Sequence, residues 1–271
     1  MRVLLTNDDG IQATGLNELR RALLEVPGVE LSVVAPNSNR SATARSITTR
    51  RPLEVEEIEF GDGTTGFAAD GTPVDCVRLA KLGLIEGFDA EIVVAGINHG
   101  SNLGDDITYS GTVAAALEGV VLGVPGIAVS QQSKAREMDF RLGHEFDFAE
   151  AAAFTARLVE ELESLPLPEG TLLNINCPAG EVAGARATRL GRRIYRDKLE
   201  LRDERDGRRT YRIYGDDPSY HREPGTDFAA IADHQIAVTP LHFDLTAADA
   251  LEELGGFDLD RLIRPAAEKV E

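Results

Sequence analysis

With 271 residues, 42% of them apolar, the chain can bury one large core or two small ones, which excludes a disordered or fibrous protein. Its 46 acidic against 28 basic residues leave a net charge of −18, which argues against a broad footprint on nucleic acid or an anionic membrane, because both need a basic surface. Lysine supplies only Lys81, Lys134, Lys198 and Lys269, so the acidic excess fits either a salt-rich cytoplasm or a GC-rich genome, while two distant cysteines, Cys76 and Cys177, point to a reducing cytoplasm rather than a disulfide framework or a zinc cluster.

Met1-Arg2 leads at once into an apolar strand ending at Thr6, too short for a signal-peptide core, and no later run reaches the ~18 apolar residues of a membrane span. A soluble, cytoplasmic protein is expected. The strand runs into Asn7-Asp8-Asp9-Gly10. At the carboxyl end of a strand in a parallel α/β sheet, where ligands collect, two neighbouring acids are costly unless a cation neutralises them. Asp8-Asp9 therefore reads as half of a metal site, against the plainer alternative of turn and helix-capping acids, and Gly10 permits a tight turn behind the pair.

Leu16, Leu19, Leu23 and Leu24 recur at helical spacing between Gly15 and Val26, and Leu31 to Ala35, closed by Pro36, completes a βαβ unit. Residues 37–49 form a polar loop offering Ser38, Ser41, Thr43 and Ser46 as hydroxyls beside Arg40 and Arg45. Leu53 to Ile58 and Gly66 to Ala69, flanking Gly61-Asp62-Gly63, suggest an antiparallel hairpin beside the main sheet. Thr72-Pro73-Val74-Asp75 is a capped helix start, with the helix running to about Leu84. Ala90 to Ala95 precedes a glycine-rich loop from Gly96 to Gly104, and Ser110-Gly111-Thr112 opens an alanine-rich helix to about Leu122. Strand, glycine-rich loop and helix in that order suit a phosphate cradle, in which Ser110, Gly111 and Thr112 present amide and hydroxyl donors at the positive helix end. An amide oxygen at Asn98 stands where it could ligate the same cation as Asp8 and Asp9. Taken singly, Asn98 is equally a turn residue and Ser110 an ordinary cap.

Pro125 to Ser130 supplies a further strand, Phe146 to Leu165 a long amphipathic helix, and Leu172 to Ile175 one more strand. The fold class is thus α/β, a Rossmann-like three-layer α/β/α arrangement with a mostly parallel sheet. From Arg189 to Tyr214 charge is dense, apolar residues alternate and Asp206-Gly207 marks a hairpin turn, which predicts an extended β-arm that packs on another subunit or stands as a solvated hairpin. Gln235 to Thr239 reads as a strand ended by Pro240, and Thr246 to Leu254 as a closing helix. The expected division is a catalytic core over 1–184, an arm over 185–234 and a C-terminal strand and helix region over 235–271. His99, His144, His221, His234 and His242 lack ligand spacing, so zinc is poorly supported.

Thr6-Asn7-Asp8-Asp9-Gly10-Ile11, Val34-Ala35-Pro36 with Arg40-Ser41-Ala42-Thr43, Gly71 to Val77, Gly96-Ile97-Asn98 through Asp106, and Ser110 to Ala116 together resemble the stationary-phase survival protein SurE family. Gly225 to Ala229, Val238 to Leu241 and Asp244-Leu245-Thr246 extend the resemblance to the C-terminus. It implies a metal-dependent phosphomonoesterase, a 5′/3′-nucleotidase hydrolysing nucleoside monophosphates, with short polyphosphate as a further substrate, assembled as a homodimer or homotetramer through the arm. The metal ligands it implies are Asp8, Asp9, Ser41 and Asn98, an all-oxygen set suited to Mg²⁺ or Mn²⁺. Asp8, Asp9 and Asn98 are then the catalytic residues, and Asn7, Gly10, Ser41, Asn102, Ser110, Gly111 and Thr112 the phosphate-binding ones. His234 stands where the family usually has glycine, and Arg212 where it has an aromatic. Direct attack by water is expected rather than a phospho-aspartate, since a carboxylate tied to a cation is a weak nucleophile. The competing reading is a non-catalytic nucleotide-binding regulatory module.

Overall fold

The computed structural model of the chain describes residues 1–138, 145–213 and 219–263, so His144 and the end of the expected arm at Tyr214 lie outside the described residues. The strands are β1 (Arg2–Thr6), β2 (Glu30–Pro36), β3 (Val55–Glu59), β4 (Thr65–Ala69), β5 (Ile92–His99), β6 (Gly126–Gln131), β7 (Thr171–Cys177), β8 (Gly184–Ala187), β9 (Arg193–Ile194), β10 (Glu200–Arg205), β11 (Arg208–Arg212), β12 (Ser219–Tyr220) and β13 (Gln235–His242). Between them run α1 (Thr14–Leu24), α2 (Pro73–Leu79), α3 (Gly111–Val121), α4 (Ala149–Glu160) and α5 (Asp227–Ala232), and α6 (Ala248–Gly255) follows β13.

The main sheet has the order β3-β4-β2-β1-β5-β6-β7-β13-β8. From β4 to β7 every pairing is parallel, while β3 pairs antiparallel with β4 and β13 antiparallel with β7. The alternation of strand side chains builds two cores. Val3 and Leu5 of β1 and Ile92 and Val94 of β5 face α1 and α4, whereas Leu4, Val93 and Ala95 face α2 and α3. Each fully buried leucine or isoleucine here contributes about 1.5–3 kcal/mol. The chain passes from β1 outward to β2 on one side and later to β5 on the other, so the strand order reverses between β1 and β5. A crevice opens at their carboxyl ends.

Several expectations change in detail. The β3/β4 hairpin does not stand beside the main sheet but joins it, because β4 pairs with β2 through Val34 and Phe67. The long helix is confined to α4, with Phe146 and Phe148 before it and a 3₁₀ turn at Leu162–Ser164 after it. Pro240 does not end the last strand: it lies inside β13, opposite Leu173, beyond the stretch that pairs with β8. With only one neighbouring strand at that level, its missing N–H disrupts no second ladder. Strand β8 crosses residue 184, so the sheet takes up the first residues of the segment expected to form the arm. The arm itself is β10 paired with β11, closed by Asp206 and Gly207 at φ 51° and 73°, the left-handed pair that a tight two-residue hairpin turn requires. His234, at φ 57° between α5 and β13, adopts the backbone conformation for which glycine is the usual choice.

Candidate active site

The turn after β1 is held by its own first side chain. Asn7 Nδ2 donates to Gly10 O at 2.9 Å, and Gly10 N–H donates to Asn7 Oδ1 at 3.1 Å. Gly10 sits at φ 104°, and a Cβ there would lie 3.2 Å from the backbone of Ser38, so only glycine suits the position. Asn7 is fully buried and shapes the turn from behind.

Asp8 continues the parity of Leu4 and turns toward the head of α3. Its Oδ1 accepts from Thr112 Oγ1 at 2.5 Å, and the Gly111 N–H also bonds the carboxylate. Ser110 caps the helix by accepting from Val113 N–H at 3.1 Å. Asp9 turns the other way: its Oδ2 accepts from the His99 N–H at 3.0 Å and its Oδ1 from Asn39 Nδ2 at 3.1 Å. Asn39 Oδ1 in turn accepts from the Ser41 N–H at 2.8 Å, and the Arg40 N–H donates to Asp8 O at 2.6 Å. These bonds draw the loop after β2 onto the aspartates. Asn98 is buried near the end of β5, and its Nδ2 donates to Gly100 O at 2.7 Å, which leaves the amide oxygen as the end suited to a cation.

Burial pushes the Asp8 carboxyl up to about 6, with the neighbouring Asp9 charge adding to the rise and the Thr112 and Gly111 donors opposing it. Burial also raises Asp9, against the His99 and Asn39 donors. Neither aspartate belongs to any ion pair among the described residues. A buried and a half-buried acid side by side, with donors on one side and no ion-pair partner among the described residues, are a fit for a hard divalent cation. Among the described residues no three His, Cys, Asp or Glu side chains converge to hold a metal, so neutral oxygens must complete such a set.

Some residues expected on phosphate are engaged within the protein. The Thr112 hydroxyl and Gly111 N–H serve Asp8. Asn102 is buried, its Nδ2 on Ser130 Oγ at 2.8 Å, its N–H on Asn176 Oδ1 at 2.8 Å and its carbonyl accepting from Asn174 and Asn176, so it fixes the loop from within. The residues 100–109 are tied to the root of the arm as well. The buried Asp227 accepts from Gly104 N–H at 2.7 Å and Gly191 N–H at 2.8 Å, and Asp106 pairs with the buried Arg193. Asn39 and Asp227 escape sequence reasoning as site-shaping residues. A polar residue in a long loop carries no periodic signal, and Asp227 acts 123 positions from Gly104. The His99 ring stacks on Phe146 and Phe148, with centroids 5.2 and 4.9 Å away, and its Nε2 accepts from the Gly15 N–H at 3.3 Å, forming an apolar wall of the crevice.

The family model described as survival protein SurE matches residues 3–197 of this chain. The chain belongs to the SurE family. It is 54% identical over 267 residues to the 5′-nucleotidase SurE of Rubrobacter xylanophilus, covering 97% of this chain and 99% of that protein. It is 46% identical to the 5′-nucleotidase SurE of Chloroflexus aggregans, over 94% of this chain and 98% of that one. The crystal structure of the SurE protein from Aquifex aeolicus superposes with a TM-score of 0.77 at 36% identity, covering 94% of this chain and 98% of that chain.

For this SurE-family chain the raised Asp8 carboxyl has a measurable consequence. A proton binds Asp8 more tightly in the folded than in the unfolded state, so its contribution to stability is present at low pH and is lost as pH rises from about 4 through 6. In cation-free buffer the thermal stability of Asp8→Asn relative to the parent should therefore improve as pH rises from 4 to 7, and added divalent cation should cancel the trend by stabilising the parent. A difference that stays flat with pH would contradict this assignment.

Proposed function

We propose that Asp8, Asp9, Ser41 and Asn98 hold a divalent cation, Mg²⁺ or Mn²⁺, and that this crevice carries out the 5′-nucleotidase reaction, hydrolysis of a nucleoside monophosphate to nucleoside and phosphate. The observation that carries the reading is the pair of adjacent carboxylates, Asp8 buried and Asp9 half-buried, at the reversal of strand order, with donors from α3 and β5 but no cationic partner among the described residues. When bound, a divalent cation there supplies charge neutralisation and Lewis acidity.

The chain's own groups do the positioning. Thr112 and Gly111 keep Asp8 oriented, Asn39 and the His99 N–H keep Asp9 oriented, and Gly100 keeps the Asn98 amide turned. The positive end of α3, from Ser110 to Thr112, favours a phosphate anion beside them. The His99 ring, stacked with Phe146 and Phe148, is fixed beside the backbone N–H that bonds Asp9. Since nothing in this set reads the sugar, nucleoside 3′-monophosphates and short polyphosphate are further substrates of the same site. Leu199, Leu201, Tyr211 and Ile213 stand exposed along the arm, which supports its use in a homodimer or homotetramer. No helix among the described residues is long and apolar enough to cross a membrane, and both cysteines are free and buried, which supports a cytoplasmic protein.

The test crosses nucleoside 5′- and 3′-monophosphates and p-nitrophenyl phosphate with Mg²⁺, Mn²⁺ and Co²⁺. Phosphate release should vanish with chelator and return with Mg²⁺ or Mn²⁺. Nucleotide binding without release would favour the regulatory-module reading, and release indifferent to chelator would overturn the metal site.

A further inference from the structure

The loop that carries Ser41 has no regular structure, and two of its residues, Ala42 and Ala44, sit at φ 58° and 50°, in the left-handed region that residues with a Cβ avoid. Such a conformation persists only where contacts on both sides over-determine it. On the near side the anchor is the Arg40 N–H on Asp8 O. On the far side Ala44 N–H donates to Tyr109 O at 3.2 Å, and Thr48 donates to the buried Asp75 from both its N–H and its hydroxyl, at 3.0 and 2.7 Å.

The strongest far-side contact involves a charge that the reaction does not use. Glu118, 1% exposed in the second half of α3, takes Arg45 Nη2 on Oε2 at 2.7 Å and Arg78 Nη2 on Oε1 at 2.6 Å. Arg45 follows Ser41 by four residues, whereas Arg78 comes from α2. A buried carboxylate persists only if paired, so Glu118 holds whatever supplies its cations. Helix α3 is also the helix whose head bonds Asp8.

We infer that Glu118 is a positioning residue of the active site: through Arg45 it clamps the loop after β2 onto α3 and so holds Ser41 against the aspartate pair whose other partner is the head of the same helix. The inference rests on the reading of Ser41 as a cation ligand. One rigid element thereby sets both halves of the site, Asp8 directly and Ser41 at a distance.

The experiment measures Mn²⁺ binding to the cation-free full-length protein by calorimetry, together with amide hydrogen exchange over residues 41–48, for Glu118→Gln, Arg45→Ala, Ser41→Ala and Arg78→Ala. Groups that orient ligands typically change metal affinity by 10–100-fold, so Glu118→Gln and Arg45→Ala should each weaken Mn²⁺ by about tenfold or more and speed exchange in the loop. Combining either with Ser41→Ala should add nothing further, because the ligand is already lost. Arg78→Ala should leave Mn²⁺ affinity within about twofold. Arg45→Ala tests the clamp from the exposed side if Glu118→Gln folds poorly. Unchanged affinity in Arg45→Ala while Ser41→Ala is weakened overturns the clamp, as does an equal loss in Arg78→Ala, which would move the effect to the packing of α2 on α3. Unchanged affinity in Ser41→Ala itself overturns the ligand reading instead.

Discussion

Asp8→Asn abolishes phosphate release, by at least about a thousandfold in kcat, while the protein stays folded and, without cation, becomes more stable. The loss has the size expected when a charge aligned with the reacting phosphate is removed from a water-poor site. The fold survives because an asparagine oxygen can still accept from the Thr112 hydroxyl and the Gly111 N–H, the two donors that hold Asp8 now. The gain in stability follows from electrostatics. In the cation-free protein the buried Asp8 lies beside the half-buried Asp9, whose charge destabilises the charged form of Asp8. Replacing one by a neutral isostere removes that repulsion together with a desolvated charge. Activity and stability thus move in opposite directions, a signature that a merely structural aspartate does not produce. Steady-state kinetics with Mg²⁺ and calorimetric unfolding in chelator check both halves, and a variant that loses stability along with turnover would return Asp8 to the role of a turn residue.

The parts of the molecule legible in the sequence are those whose signal is local. The apolar run before Asp8, the leucine spacing of α1, the Thr72-Pro73 cap and the Asp206-Gly207 turn each state their own conformation, and the structure contains all four. The site was legible as chemistry, with Asp8-Asp9 at a strand end and Ser110-Gly111-Thr112 at a helix head, but the direction of its bonds was not. The Thr112 hydroxyl, expected as a donor to phosphate, also orients Asp8, because the parity of β1 brings that carboxylate under α3. Parity of this kind depends on which strands become neighbours, and β13 illustrates the difficulty: it inserts between β7 and β8, far from both in sequence to one side, and runs on through Pro240. The bonds by which Asn39 reaches Asp9, Glu118 reaches Arg45 and Asp227 reaches Gly104 span distant parts of the chain, so no window of sequence marks them. Glu118 in particular reads as an ordinary charge in an alanine-rich helix, and only its burial beneath two arginines shows otherwise.

Gly111→Ala should lower kcat by about a hundredfold although it places a favoured helix former at the first turn of a helix. Intrinsic propensity favours the substitution, and the backbone of Gly111 does not require glycine, since it lies outside the left-handed region. The obstacle is Asp8. A Cβ at position 111 would lie 2.8 Å from Asp8 Cβ and 2.9 Å from Asp8 Oδ2, inside any real contact distance, and those atoms belong to a buried side chain with little room to retreat. The carboxylate must then rotate off Thr112 or α3 must slide away, and either displaces a ligand by a fraction of an ångström in a site that works by positioning. Gly119→Ala, eight residues further along the same helix, separates this effect from general crowding. There the added methyl meets Val93 Cγ2 at 2.8 Å in the core between α3 and β5, so the expected cost is stability, about 1–3 kcal/mol, with kcat kept well below the melting temperature. If both variants lose stability and neither loses turnover, the approach of α3 to Asp8 is packing alone. If only Gly111→Ala loses turnover, and its Mn²⁺ affinity falls with it, the glycine at the head of α3 is there to let a helix end touch the aspartate it orients.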